Sequence, residues 1–106
     1  MQPQVVLQML TRLLRHDQSP GAVVSAPRWV LGDGGFDTWS GTGPDHVALE
    51  AGAPSAWADG LTARGHEVRT LPPDANVGHA HVISLRDGVL AGAADPRALT
   101  GAAAGC

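Results

Sequence analysis

His79 and His81 open the run HAHVISL. On a strand that two-residue spacing places both imidazoles on one face, where they could share a metal ion. Ile83 and Leu85 continue the same face and no third ligand stands at an obvious spacing, so a pair of polar residues at a strand end is the preferred explanation. The stretch DGGFDTWSG from Asp33 begins like a calcium loop. An EF-hand needs oxygen ligands at its third and fifth positions and Gly at the sixth, whereas Gly35 stands third here and Thr38 sixth. The glycines precede HVALE, which reads as a strand, so the helix N-terminus that would cradle a phosphate is missing as well. Ser25, Ser40, Ser55 and Ser84 could be combined on paper with the five histidines into a nucleophile and base, but none lies in a G-x-S-x-G turn. No cofactor is implied by any of these patterns.

Two arginines have a more definite setting. Arg28 follows Pro27, and Arg97 follows Asp95-Pro96. A guanidinium on a chain stiffened by proline is well placed to pair with a carboxylate, and the pinning of chain segments is preferred here to catalysis. Trp29 and Trp57 read as core residues, while the role of Trp39 stays open.

These residues must be positioned by a small framework. A chain of 106 residues buries roughly two thirds of the surface it exposes when unfolded. Hydrophobic residues make up 43%, but Ala and Gly inflate that share, with Phe at one, Tyr at none and Trp at three, so the interior has few large side chains to fill it. All seven basic residues are Arg and the net charge is -3, without any run of like charge, which leaves neither a nucleic-acid footprint nor a basic membrane patch. The single Cys106 ends the chain and offers no internal disulfide. The first fourteen residues lack the n-region, continuous apolar run and cleavage site of a signal peptide, and no stretch approaches the roughly 20 apolar residues of a membrane span.

Apolar residues Val6, Leu10, Leu13 and Leu14, widened by Val5, Leu7 and Met9, predict a helix over Gln2–His16 with Pro3 in its first turn. Ser19-Pro20 reads as an N-cap with a first-turn proline and predicts a second helix to about Ala26. A Gly-rich surface loop is expected over 32–45, then a strand at His46–Glu50 burying Val47 and Leu49. A helix in PSAWADGLTARGH follows, with Trp57 and Leu61 inward and Gly65 ending it, and then a strand at EVRTL. Asp87-Gly88 between apolar runs predicts a closing hairpin, and 98–106 reads as a loose tail. The order helix, helix, strand, helix, strand, hairpin is an α+β unit forming a single domain over 1–106.

Three segments in this order carry a resemblance: QPQVVLQMLTRLLRHDQSPGAVVSAPRW, VALEAGAPSAWADGLTARGHEV and ISLRDGVLAGAADPRALTGAAAG. Together they span the chain from Gln2 to Gly105 and resemble the C-terminal part of the small subunit of γ-glutamyltransferases, also called glutathione hydrolases. The pieces of greatest specificity are QPQ at Gln2–Gln4, APRW at Ala26–Trp29, ARGHEV at Ala63–Val68 and ADPR at Ala94–Arg97.

The resemblance implies an N-terminal-nucleophile (Ntn) hydrolase, a four-layer αββα sandwich whose precursor cuts itself into a large and a small subunit. A Thr at the start of the small subunit attacks the γ-glutamyl carbonyl, with its own α-amino group as base, and a Gly-Gly pair holds the oxyanion. Those residues lie upstream of QPQ in the family, and Thr11, Thr38, Thr42, Thr62, Thr70 and Thr100 are all internal and match no nucleophile motif. The resemblance therefore gives no catalytic role to any residue here. It implies support: Gln2, Pro3 and Gln4 start a helix directly after the oxyanion glycines, and Arg28 and Arg97 look like structural, ion-pairing arginines. The expected partners are the large subunit and the remainder of the small one, with γ-glutamyl compounds such as glutathione bound only by the complete enzyme. Family members are often periplasmic or secreted and some are cytoplasmic, so the compartment stays open. Two rival readings remain: a complementing subunit whose Thr comes from a separate chain, and a non-catalytic interaction or metal-binding module using His79 and His81.

Overall fold

The computed structural model describes residues 2–32 and 46–105. The expected Gly-rich loop, apart from Gly32, falls outside the described residues. So do the Asp33 stretch with Trp39 and Ser40, and Cys106. The described residues form two compact units, one drawn from 2–5, 27–32 and 46–77, the other from 6–26 and 78–105.

Helix α1 (Gln2–Leu10) runs into a π-helical turn at Thr11–Arg15. Within that turn Thr11 Oγ1 donates to Leu7 O at 2.8 Å, a local bond that competes with the regular backbone ladder. Sequence spacing placed Val6, Leu10, Leu13 and Leu14 on the inward stripe, widened by Val5, Leu7 and Met9. Of these, Val5 is buried, and Met9 and Leu13 pack on Val23, Val24 and Val82. Val6, Leu10 and Leu14, one position further round, are exposed. The helix is apolar on both sides, so periodicity alone could not decide which stripe turns inward.

Helix α2 (Pro20–Ser25) starts as its sequence dictates, with Ser19 Oγ accepting Ala22 N–H at 3.3 Å and Pro20 in the first turn. It packs against both strands of the antiparallel hairpin β4 (His81–Arg86) and β5 (Val89–Ala94). Arg86 pairs with Val89 across the turn, and Asp87 and Gly88 have φ of 51° and 77°. That left-handed pair forms the two-residue turn whose twist suits a hairpin.

The other unit holds a three-stranded sheet in the order β1-β2-β3. Strand β2 (His46–Leu49) is central, antiparallel to β1 (Trp29–Leu31) and parallel to β3 (Glu67–Thr70), with α3 (Ser55–Ala63) as the crossover. All four residues of β2 are buried, His46 included, and not only the expected Val47 and Leu49. A central strand covered on both faces does not need to alternate. Strand β1 was not expected from the sequence, being three residues long and too short to show a period. Trp57 and Leu61 are half-buried, and α3 ends at Arg64 with Gly65 following at φ +88°.

Candidate functional site

Where α1 begins, Gln2 and Pro3 are exposed and Gln4 is half-buried. Val30 lies opposite Ala48, while Gly32 N–H donates to His46 O and Glu50 N–H donates to Arg28 O. In that alternation the Leu31 amide faces away from β2. Gln4 Oε1 accepts it at 2.8 Å, so a side chain of the helix start takes up a donor on the outer edge of β1.

Arg28, the residue before β1, is 3% exposed. Its main-chain N–H donates to Glu50 Oε2 at 2.7 Å and its Nη1 to Val77 O at 3.4 Å. These bonds join the start of β1 to the end of β2 and to the end of the same unit. Glu50 was read from the sequence only as the last residue of a strand.

Arg97 sits in the other unit, at the end of β5. Asp95, 1% exposed, accepts Ala80 N–H on Oδ2 at 3.0 Å, and on Oδ1 both Arg97 N–H and Arg97 Nη1, each at 3.0 Å. Three donors surround a carboxylate that would be costly to bury without them. Arg97 then continues to the C-terminal end of α2, its Nη1 donating to Val24 O at 2.8 Å and its Nη2 to Ala26 O at 3.0 Å. A helix end leaves such carbonyls without intrahelical donors and favours a cation beside them. Sequence reasoning singled out Arg97 and missed Asp95, although the Asp-Pro-Arg triplet contains both. An Asp that accepts the amide two residues on is a familiar turn former, and that was the available signal. Arg86 makes a second tie in this unit, with an ion pair to Asp17 and a hydrogen bond to Leu13 O.

The two histidines do not share a strand as expected. β4 begins at His81, so His79 precedes it, and both side chains are exposed. Among the described residues no group of three or more His, Cys, Asp or Glu is placed to hold a metal ion. No helix of these residues is long and apolar enough to cross a membrane. The hydroxyls of Thr11 and Ser19 are engaged with their own helices. Within each unit these hydrogen bonds join one element to another.

The comparisons bear on what such a framework belongs to. The chain is 37% identical over 106 residues to the oxamate amidohydrolase proenzyme of Klebsiella pneumoniae, covering 98% of this chain but 19% of that protein. Its structure is similar to a cephalosporin acylase from Bacillus halodurans, at TM-score 0.74 and 28% identity over 90% of this chain and 16% of that one. It is also similar to an acivicin-inhibited gamma-glutamyltranspeptidase whose C-terminus has critical roles in autoprocessing and catalysis. That match has TM-score 0.64 and 26% identity and covers 92% of this chain and 48% of that one. The fold is thus mixed α+β, similar to Ntn-hydrolase transpeptidases and related acylases, and the chain spans about a fifth of its curated relative. The family model for gamma-glutamyltranspeptidase matches residues 1–105, nearly the full length over which these ties are laid out, and the chain belongs to that family.

Proposed function

We propose that this chain is the C-terminal segment of an Ntn hydrolase that transfers or hydrolyses γ-glutamyl groups, and that it supports the active site without containing it. The observation that carries this is the family match through residues 1–105 combined with a span of only 19% of the proenzyme relative. In the complete enzyme a Thr hydroxyl oxygen bonds to the donor's amide carbonyl carbon, with the Thr α-amino group taking its proton. That proton passes to the departing amine. Water or an acceptor amine then takes the acyl group and frees the Thr. The start of α1 at Gln2, Pro3 and Gln4 lies beside the oxyanion glycines, its helix dipole favouring the developing charge. Arg28 and Arg97 hold the segment together. The partners are the large subunit and the remainder of the small subunit, and glutathione-like donors bind only to that assembly.

The purified 106-residue chain should not turn over a chromogenic γ-glutamyl anilide. Release of the anilide at a rate that survives substitution of every Thr would overturn the proposal. One observation favours a second reading, in which the complete enzyme cleaves a different amide: the 37%-identical relative is an oxamate amidohydrolase. Assaying the reconstituted enzyme on γ-glutamyl anilide and on oxamate side by side separates the two.

A further inference from the structure

The first turn of α1 is fastened to the sheet beside it. Residues 2–5 belong to the unit that holds β1, β2 and β3, and Gln4 and Val5 are both anchored within that unit. Val5 is buried, at 6% exposure. Gln4 is half-buried and accepts the Leu31 amide, 27 residues further along, at 2.8 Å. Neighbouring helical residues stand about 100° apart around the axis. A single contact would leave the turn free to roll about that axis, whereas two on adjacent faces restrain both its place and its rotation.

The place of the bond adds to its effect. Trp29 and Leu31 stand at the positions of β1 whose main-chain groups point away from β2, so Gln4 binds a donor that the sheet itself does not use. The first four amides of a helix have no intrahelical acceptor and its first turn frays most readily, which is where a tie from outside the helix restrains the chain most. A Gln makes that tie without adding a charge.

We propose that Gln4 is a positioning residue for the reaction of the complete enzyme: by holding the first turn of α1 on the outer edge of β1, it fixes the chain that leads into the helix and so the aim of the oxyanion donors. This rests on the reading that the oxyanion glycines lie beside the start of α1. Gln4 acts through the helix start and not on the substrate. Oxyanion donors are effective when held about 2.7–3.1 Å from the oxygen that becomes charged, and a displacement of about 1 Å can cost about 100-fold in rate. Ground-state binding does not depend on that alignment, so loss of the tie falls on kcat and not on KM. A neutral acceptor suits the place, because a carboxylate there would stand near the developing negative charge.

The test uses two variants. Gln4→Met keeps the length and helix propensity of the side chain and removes the acceptor, while Gln4→Glu keeps an acceptor oxygen. In the 106-residue chain, amide exchange at Leu31 followed by NMR should be about tenfold faster in Gln4→Met and close to wild type in Gln4→Glu. The Val30 amide, which faces β2, should be unchanged. An unaltered Leu31 rate in Gln4→Met overturns the tie. For activity, this chain replaces the segment it matches in the Klebsiella pneumoniae proenzyme, and the chimera is assayed on a γ-glutamyl anilide and on oxamate. On whichever amide the wild-type chimera cleaves, Gln4→Met should lower kcat about tenfold, with KM within about twofold and the circular dichroism retained. Equal kcat, or a change in KM alone, overturns the positioning role and leaves the functional proposal standing. A folded wild-type chimera that cleaves neither amide overturns the functional proposal and the positioning role with it, and the exchange rates still decide the tie.

Discussion

Asp95 and Arg97 work as a pair whose partners are mostly main chain. The carboxylate takes the Ala80 amide and the Arg97 amide as well as the guanidinium, and the guanidinium takes two carbonyls at the end of α2. Replacing Asp95 by Ala leaves a half-buried cation and a buried amide with fewer acceptors, so Asp95→Ala should lower stability by about 3 kcal/mol. Arg97→Lys keeps the charge but cannot place two nitrogens on Val24 O and Ala26 O together, so it should cost about 1–2 kcal/mol. The Arg97 side chain keeps 22% of its exposure, which sets its share below that of Asp95. Urea unfolding followed by far-ultraviolet circular dichroism measures both. The double variant should cost less than the two single costs added together, since the residues share one network. Strict additivity would mean that the two act independently. The sequence made Arg97 conspicuous through its proline, and a carboxylate was sought as its partner. Val24 and Ala26 could not be read that way, because carbonyl groups carry no side-chain signature and lie 73 and 71 residues away.

Elements were legible where local chemistry decides them. Ser19-Pro20 starts α2, Gly65 follows α3 and Asp87-Gly88 turns the hairpin, each through a bond or a backbone angle that depends on neighbouring residues alone. Gly88 sits at φ +77° with open space around a notional Cβ. Gly88→Ala should therefore destabilise the hairpin through backbone conformation and not through a clash, by about 1 kcal/mol. Amide exchange of β4 and β5 should speed up accordingly, with α3 and β3 unchanged; equal acceleration in both units would contradict a local turn effect. What could not be read is pairing over distance. Strand β1 has three residues, and its assignment depends on β2 and on the Gln4 side chain. The His79–His81 alternation failed because β4 starts only at His81. The inward stripe of α1 was drawn too wide, since Val6, Leu7, Leu10 and Leu14, which are exposed, are as apolar as Val5, Met9 and Leu13, which turn inward, and only packing distinguishes them.

At the scale of the whole molecule, large apolar side chains are left in water by the same segments that pack best. Val6, Leu7, Leu10 and Leu14 on the first helix and its π-helical turn, and Ile83, Leu85, Val89 and Leu90 on the hairpin, are all exposed, while the cluster inside that unit is built from Val23, Val24 and Val82. Contiguous apolar surface of this kind marks contact with another surface, and in isolation it promotes association. The two described sheets, of three and two strands, also end in edges that can pair with further strands. At its own length the chain is therefore expected to be marginal. In sedimentation velocity it should associate with rising concentration, and its thermal transition should be broad and dependent on concentration. Glu at Ile83 and Leu85 should reduce the association and leave helix content unchanged, because it removes the apolar contact without disturbing the buried side of the hairpin. A wild-type chain that stays monomeric and unfolds in a sharp, concentration-independent step would mean that these surfaces need no cover. The segment would then be a self-sufficient domain, and not a part shaped by a larger sandwich.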